Sequence, residues 1–356
     1  TSREPRDPTE EILAGLFAGI LGLPRVGIDD SFFDLGGHSL LAVGLVNRAR
    51  EAGLRLSIAD IILHPTVADL SLRARPVTPA STSVSGPFAP VLPIRTAGEG
   101  KPLFLVHSGL GFSLPYLGLA QHIDERYPLH GLQSPAVDGT SPFPEDIREV
   151  AADYLRTVRK LQAHGPYRLL GWSYGGLLAQ EMAVQLEAVG ESVDFLANLD
   201  GYPGSTGRGD GEDDQELMLR ALEGLGHSRS EFGGRRVRIS DLAEALRREN
   251  HPLAGHGERP LLRLLRLSRA HGRLMEGFSP GHFGGTMHLF AAAREWSAGQ
   301  LHELVQSWES RTGGGLRVHR VPCGHEHLMH PEPRAVVGRL VAAELRRLDA
   351  TQNGGW

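Results

Sequence analysis

The stretch Tyr167-Arg168-Leu169-Leu170-Gly171-Trp172-Ser173-Tyr174-Gly175-Gly176 joins two kinds of secondary structure across one serine. Residues 167–172 form a continuous apolar run of the kind that fills a buried parallel strand. Leu177–Val189 carries helical spacing. Between them stands G-x-S-x-G, and chemistry explains that spacing. A serine nucleophile needs a sharp, strained turn at a strand's C-terminal end, and glycines two before and two after it let the chain fold tightly. The helix that follows offers backbone N–H groups and a positive dipole end to a developing oxyanion. The alternative is a structural Gly/Ser turn, since the motif arises by chance in a chain with 45 glycines. Its position between a clear strand and a clear helix favours the nucleophile.

Outward from this turn the same alternation continues. Pro102–His107, Val193–Leu199, Met287–Ala292 and Leu316–Val321 read as further strands, and Ile147–Gln162 as a helix between two of them. This is the α/β pattern of a mostly parallel sheet with helices on both faces. Residues 204–283 interrupt it. They are rich in glycine and charge, with helical patches such as Glu216–Leu222, and an excursion of that length reads as a lid insertion.

A serine nucleophile requires a base and an acid that orients it, in the chain order Ser, Asp or Glu, His for this pattern. The next strand ends Asn198-Leu199-Asp200-Gly201, which puts Asp200 on the same sheet edge as Ser173. The alternative for Asp200 is a turn-forming residue before glycine. After the last strand come His325, His327 and His330, and His325 lies nearest the strand end. A zinc site built on these histidines lacks the H-E-x-x-H spacing and a carboxylate partner. Oxyanion donors should come from the residue after the nucleophile, Tyr174, and from the loop His107–Gly111, with Gly109 the best placed. His107 precedes the serine, the wrong order for a base, and reads as a loop-shaping residue.

Composition bounds the rest. A chain of 356 residues suits two domains. A net charge of −5 provides no basic field for nucleic acid, and no apolar run is long enough to span a membrane. The start, TSREPRDPTEE, has no apolar signal region and reads as part of a longer protein. The single cysteine, Cys323, excludes an internal disulfide and a Cys-rich zinc site, and reads as a small buried hydrophobe. A cytoplasmic location is the expectation. The stretch Ala74–Pro93, ARPVTPASTSVSGPFAPVLP, has linker composition. The expected division is a small domain at 7–73, a linker at 74–95, and a large domain at 96–350 with its insertion at about 204–283.

The small domain reads as all helical. Asp7-Pro8-Thr9-Glu10-Glu11 is a helix start, with a capping residue, proline in the first turn and acids at the positive dipole end. A second helix should begin near Ser39, and Thr66 should cap a last one. Ser39 follows Gly36-Gly37-His38 with no base or acid arranged around it. From physics alone it is an exposed serine at a helix N-terminus, and most of those are caps.

Residues 7–73, through Asp30–Leu40 (DSFFDLGGHSL) and His64-Pro65-Thr66-Val67, resemble the peptidyl carrier domains of nonribosomal peptide synthetases. That resemblance implies a small four-helix domain and a covalent 4′-phosphopantetheine on Ser39, added by a separate phosphopantetheinyl transferase. Residues 96–350, through Pro102–His107, Gly171–Gly176, Leu199-Asp200 and Gly324-His325, resemble the type I thioesterases that end such assembly lines, with an α/β-hydrolase fold. The loop after the first strand departs from the usual His-Pro by reading His107-Ser108, and 204–283 carries no alignable motif.

Together the resemblances imply a relay in which Ser39 carries a finished peptide as a thioester and Ser173 receives it. Hydrolysis or macrocyclisation then releases it. They also imply upstream condensation and adenylation domains, a peptidyl thioester substrate, a monomer, and no metal, nucleic acid or membrane partner. The competing readings are release of a polyketide, an unrelated esterase or lipase with a helical appendage, and a carrier beside an inactive hydrolase-like domain.

Overall fold

The computed structural model describes residues 3–37, 39–56, 60–61, 64–76, 89–137, 139, 141–203, 213–225, 227–248, 257–294 and 296–353. By contact the chain divides into two units: Thr1–Pro87 with Ile239–Leu261, and Phe88–Arg238 with Leu262–Trp356. Ile239–Leu261, read from sequence as part of the insertion, therefore groups with the N-terminal unit.

In the first unit, α1 (Pro8–Leu21) starts as its sequence predicts. The Asp7 carboxylate accepts from the Thr9 and Glu10 N–H groups, Pro8 occupies the first turn, and Gly22 ends the helix at φ 67°. Helix α2 (Ser39–Glu51) begins at Ser39, and α3 (Val67–Arg73) is capped by Thr66, whose hydroxyl accepts from Asp69 N–H. Asp60 and Ile61 are also helical, with neighbours on both sides outside the described residues. Leu13, Phe17, Ile28, Phe32, Leu45, Ile61, Val67 and Leu70 make one buried core. Phe32 packs edge-on against Phe17, with ring centroids 5.0 Å apart. Leu54–Arg55 (β1) and Arg75–Pro76 (β2) pair antiparallel at its margin.

The second unit is built on a seven-stranded sheet ordered β3-β5-β4-β6-β7-β8-β9. The strands are β3 (Val91–Arg95), β4 (Leu103–Val106), β5 (Leu129–Leu132), β6 (Tyr167–Trp172), β7 (Val193–Leu199), β8 (Met287–Ala292) and β9 (Leu316–Val321). Only β3 runs antiparallel to its neighbour; the other five pairings are parallel. Helices α4 (Ile147–Leu161) and α5 (Tyr174–Ala188) cross between strands, and their apolar faces join one core with β4, β6, β7 and β8. Two strands depart from the sequence reading. Val91–Arg95, the end of the stretch read as linker, is the edge strand, where Pro93 is tolerated because it has no N–H to donate. Leu129–Leu132 is short and interrupted by Gly131. A side chain at that glycine would stand 2.6 Å from Ser113 Cβ.

Residues 213–277 contain three helices among the described residues: α6 (Asp214–Gly224), α7 (Ile239–Arg248) and α8 (Glu258–Gly277). Helices α9 (Ala298–Glu309) and α10 (Pro331–Asn353) follow β8 and β9. No helix among the described residues is long and apolar enough to cross a membrane.

Candidate active site

The turn between β6 and α5 holds Ser173 at φ 59° and ψ −121°, a region non-glycine residues avoid at a cost of about 1–3 kcal/mol. Three glycines make the turn possible by their lack of a side chain. A Cβ on Gly171 would lie 1.9 Å from the Gly175 carbonyl oxygen, one on Gly175 2.2 Å from the His107 carbonyl, and one on Gly176 2.2 Å from Asn198 Oδ1. Helix α5 thus starts in close contact with β4, β6 and β7. Ser173 N–H donates to Leu199 O at 2.9 Å, tying the turn to the neighbouring strand.

The parallel order of β6, β7, β8 and β9 brings the ends of distant segments to this turn. Asp200 follows β7 at φ 53° and is 2% exposed. Its Oδ2 accepts from His325 Nδ1 at 2.8 Å. Its Oδ1 accepts from Ala292 N–H at 2.9 Å and from the Trp296 indole at 2.8 Å. Burial by itself would raise this carboxyl. The hydrogen bond and charge of His325, with the Ala292 and Trp296 donors, outweigh it and hold the pKa below the usual carboxylate value. Since a carboxylate only accepts, the proton of His325 sits on Nδ1 and Nε2 accepts from the Ser173 hydroxyl, 3.1 Å away. A serine, a histidine and a carboxylate are joined in one hydrogen-bonded line. His327 and His330 pack edge-on against each other at 4.7 Å, apart from that line. Of the three histidines, His325 is the one seen bonded to both Asp200 and Ser173.

Tyr174 is the first residue of α5, where helix geometry gives the backbone N–H no intrahelical partner. Gly109 lies in the loop after β4 and lines the same cavity of about 150 Å³ as Ser108, Ser173 and Tyr174. His107 does not reach Ser173. It is fully buried beneath the loop, with Nδ1 2.6 Å from Ser108 O and Nε2 2.6 Å from Tyr154 Oη. Burial pushes its pKa down to about 4, so it is neutral and structural, the loop-shaping role read from chain order. Sequence reasoning missed Trp296, Ala292 and His271. The first two serve Asp200 through an indole and a backbone N–H, which no motif marks. His271 sits on α8 inside the insertion. Cys323 is buried, and burial raises its thiol to about 11. Among the described residues, no group of three His, Cys, Asp or Glu side chains could hold a metal ion.

His38 lies outside the described residues, as does the side chain of Ser39. Gly36 turns at φ 94°, and a side chain there would meet nothing within 4 Å among the described residues. A side chain on Gly37 would fall 2.4 Å from Phe32 O, so the chain entering α2 is pressed onto the core. Ser39 is the first residue of α2.

Comparison with known proteins fits this geometry. The thioesterase domain model matches residues 101–343. The phosphopantetheine attachment site model matches residues 11–73. A dimodular nonribosomal peptide synthase of Bacillus subtilis (strain 168) is 38% identical over 355 residues, which is 98% of this chain but 14% of the relative. The four-domain nonribosomal peptide synthetase holo-AB3403, crystallised with AMP and glycine, matches 96% of this chain and 26% of its own, with 26% identity and a TM-score of 0.63. The NocB thioesterase domain from the nocardicin cluster matches 71% of this chain and 95% of its own, with 25% identity and a TM-score of 0.51. The chain therefore spans a small part of its curated relatives. By the match over residues 101–343 the chain belongs to the thioesterase domain family, with a phosphopantetheine attachment domain ahead of it at residues 11–73.

Proposed function

We propose that this chain releases a finished peptide from a carrier-bound thioester through an acyl-enzyme on Ser173. The observation that carries the reading is the unbroken line Asp200–His325–Ser173, 2.8 and 3.1 Å per step, at a strained turn beside two oxyanion-donor positions. The sequence bounds stand as part of the proposal, with a carrier at 7–73 and a thioesterase to residue 350. The linker is shortened to end before Val91. Ser39 is the attachment residue, loaded by a phosphopantetheinyl transferase. The arm supplies a thiol that holds the acyl group as a thioester. The names of the relatives support peptide over polyketide cargo, and upstream synthetase domains as the source of that cargo.

His325 Nε2 takes the Ser173 proton as Oγ attacks the thioester carbonyl, and the Asp200 carboxylate stabilises the imidazolium that forms. The N–H groups of Tyr174 and Gly109 meet the tetrahedral oxyanion, each worth about 3 kcal/mol in such sites. His325 then returns the proton to the departing sulfur, leaving an ester on Ser173. In the second half His325 activates water, which yields the acid, or a hydroxyl or amine of the bound chain, which yields a ring. A cavity of about 150 Å³ is smaller than the roughly 300–1,000 Å³ of typical ligand sites. As described, it fits the acyl segment next to the reacting carbonyl, so a folded peptide requires the insertion to move.

A serine-directed fluorophosphonate tests this reading. The expected result is one phosphonyl group on Ser173, lost in His325→Gln together with hydrolysis of a soluble acyl N-acetylcysteamine thioester. Labelling elsewhere, or full thioester hydrolysis by His325→Gln, contradicts it.

A further inference from the structure

Helix α8 presents one face to the catalytic loop. Arg263 donates to Ala136 O and Ser141 O, at 2.8 Å each. A side chain on Gly111 would stand 2.7 Å from Leu267, and one on Gly109 3.3 Å from Ser268 Oγ. One turn further on, His271 is 1% exposed and its Nδ1 lies 2.6 Å from Gly109 O. A carbonyl only accepts, so Nδ1 carries the proton. The same ring lies flat on the Tyr174 ring, with centroids 4.1 Å apart and planes 16° apart. A single side chain from the insertion therefore touches both residues proposed above as oxyanion donors.

Gly109 is the residue least able to hold its own conformation, since glycine has the widest backbone freedom. Its two flanking peptide planes are each held from outside. The Ser108–Gly109 plane, which carries the Gly109 N–H, is held at its carbonyl by His107 Nδ1 at 2.6 Å and by Gly111 N–H at 3.0 Å. The Gly109–Leu110 plane is held at its carbonyl by His271. Because each peptide is planar, holding the carbonyl fixes the N–H at its other end. With His107 below and His271 above, both torsions of Gly109 are set. Tyr174 Oη and His271 Nε2 are both buried without a hydrogen-bond partner among the described residues, so the stacked pair is seated by ring packing and the one bond to Gly109.

We propose that His271 is a positioning residue that makes the oxyanion hole depend on the seating of α8, by bonding to the Gly109 carbonyl while stacking on Tyr174. The inference rests on the thioesterase reading above. When α8 is seated, Gly109 is anchored through both of its peptide planes and Tyr174 through its ring; when it lifts, Gly109 keeps only the anchor from His107 and Gly111, and Tyr174 loses the ring it stacks on. The insertion then controls catalytic power as well as access, and an unfilled site with a lifted roof is slow to attack whatever enters.

The test uses the full chain, an acyl N-acetylcysteamine thioester, and a boronic acid that forms a tetrahedral adduct with Ser173. His271→Phe keeps the stack and removes the donor. His271→Asn keeps a donor near the Nδ1 position and removes the ring. The account expects His271→Phe to lower kcat about 10- to 100-fold with KM changed less than about 3-fold, and to weaken the boronate by the same factor as kcat. His271→Asn should recover part of both. Wild-type kcat and boronate affinity in His271→Phe overturn the proposal while leaving the thioesterase reading intact. Parallel loss of kcat, KM and the urea midpoint, with no rescue by asparagine, also overturns it, since that is a purely structural role. Absence of both turnover and boronate adduct in the wild-type chain overturns the thioesterase reading, and this proposal with it.

Discussion

At the scale of the residue, the site is decided by what holds Asp200. Three donors at 2.8–2.9 Å keep its carboxylate charged in a buried position, and two of them, the Ala292 N–H and the Trp296 indole, lie outside the line to Ser173. Asp200→Asn keeps the shape but offers a donor to the wrong side of His325, and kcat should fall about 10³- to 10⁴-fold in steady-state thioester hydrolysis. Trp296→Phe leaves His325 and Ala292 in place and should cost about 10-fold, with unchanged KM, for loss of one charge-assisted bond. A second residue-scale prediction concerns pH. Burial lowers His107 to about 4 and His271 to about 3, below the ordinary histidine value near 6.5. Between those values the unfolded chain binds protons that the folded chain does not, so stability is full above about pH 6.5 and falls as pH drops toward about 4. From pH 7 to pH 5 the loss is about 2 kcal/mol for each such histidine. Urea midpoints of the wild type should fall over that range, and His271→Phe should show a smaller drop. An equal drop in both would show that His271 is not held neutral.

At the scale of the element, much of the larger unit was readable because its strands are buried on both faces and so appear as apolar runs. The turn at Ser173 was legible because strand, glycines and helix announce it together. Asp200 and His325 followed from chain order and from lying at strand ends. What was not legible has physical causes. The strand Val91–Arg95 contains Pro93 and follows a Pro- and Ser-rich stretch, and its membership comes only from pairing with β5. His271 is one histidine among 17, in a helix whose sequence carries no motif, and its role exists only once α8 meets the loop after β4. Helix α10 shows the same dependence on tertiary contact. Its Asp349 accepts from Arg168 at 2.6 Å and from Tyr127 Oη at 2.7 Å, while fully buried Arg168 also binds Asp194 at 3.0 Å. Breaking a fully buried pair costs about 3–5 kcal/mol, and with Asp194 remaining Asp349→Ala should cost about 2 kcal/mol. Tryptophan fluorescence reads this, because Trp172, Trp296 and Trp308 lie in the larger unit. An unchanged urea midpoint would remove α10 docking from the account.

At the scale of the whole molecule, the account is a division of labour between two serines on two domains. Ser39 is the first residue of a helix in the smaller unit, and Ser173 stands in a hydrogen-bonded line with His325 and Asp200. Ser39→Ala should therefore lose the phosphopantetheine mass increment while hydrolysing a soluble thioester at the wild-type rate. Ser173→Ala should accept the arm and its acyl group and then hold them. The measurement that tests this most directly is a timed intact-mass experiment on the full chain. The chain is loaded with acyl-phosphopantetheine by a promiscuous transferase, and the acyl mass is followed on peptides containing Ser39 and Ser173. The account predicts that the acyl group leaves the Ser39 peptide, appears on the Ser173 peptide and then departs as acid or ring, with Ser173→Ala frozen at the first stage. Release from Ser39 at an equal rate in Ser173→Ala, with no acyl mass ever on the Ser173 peptide, would contradict it.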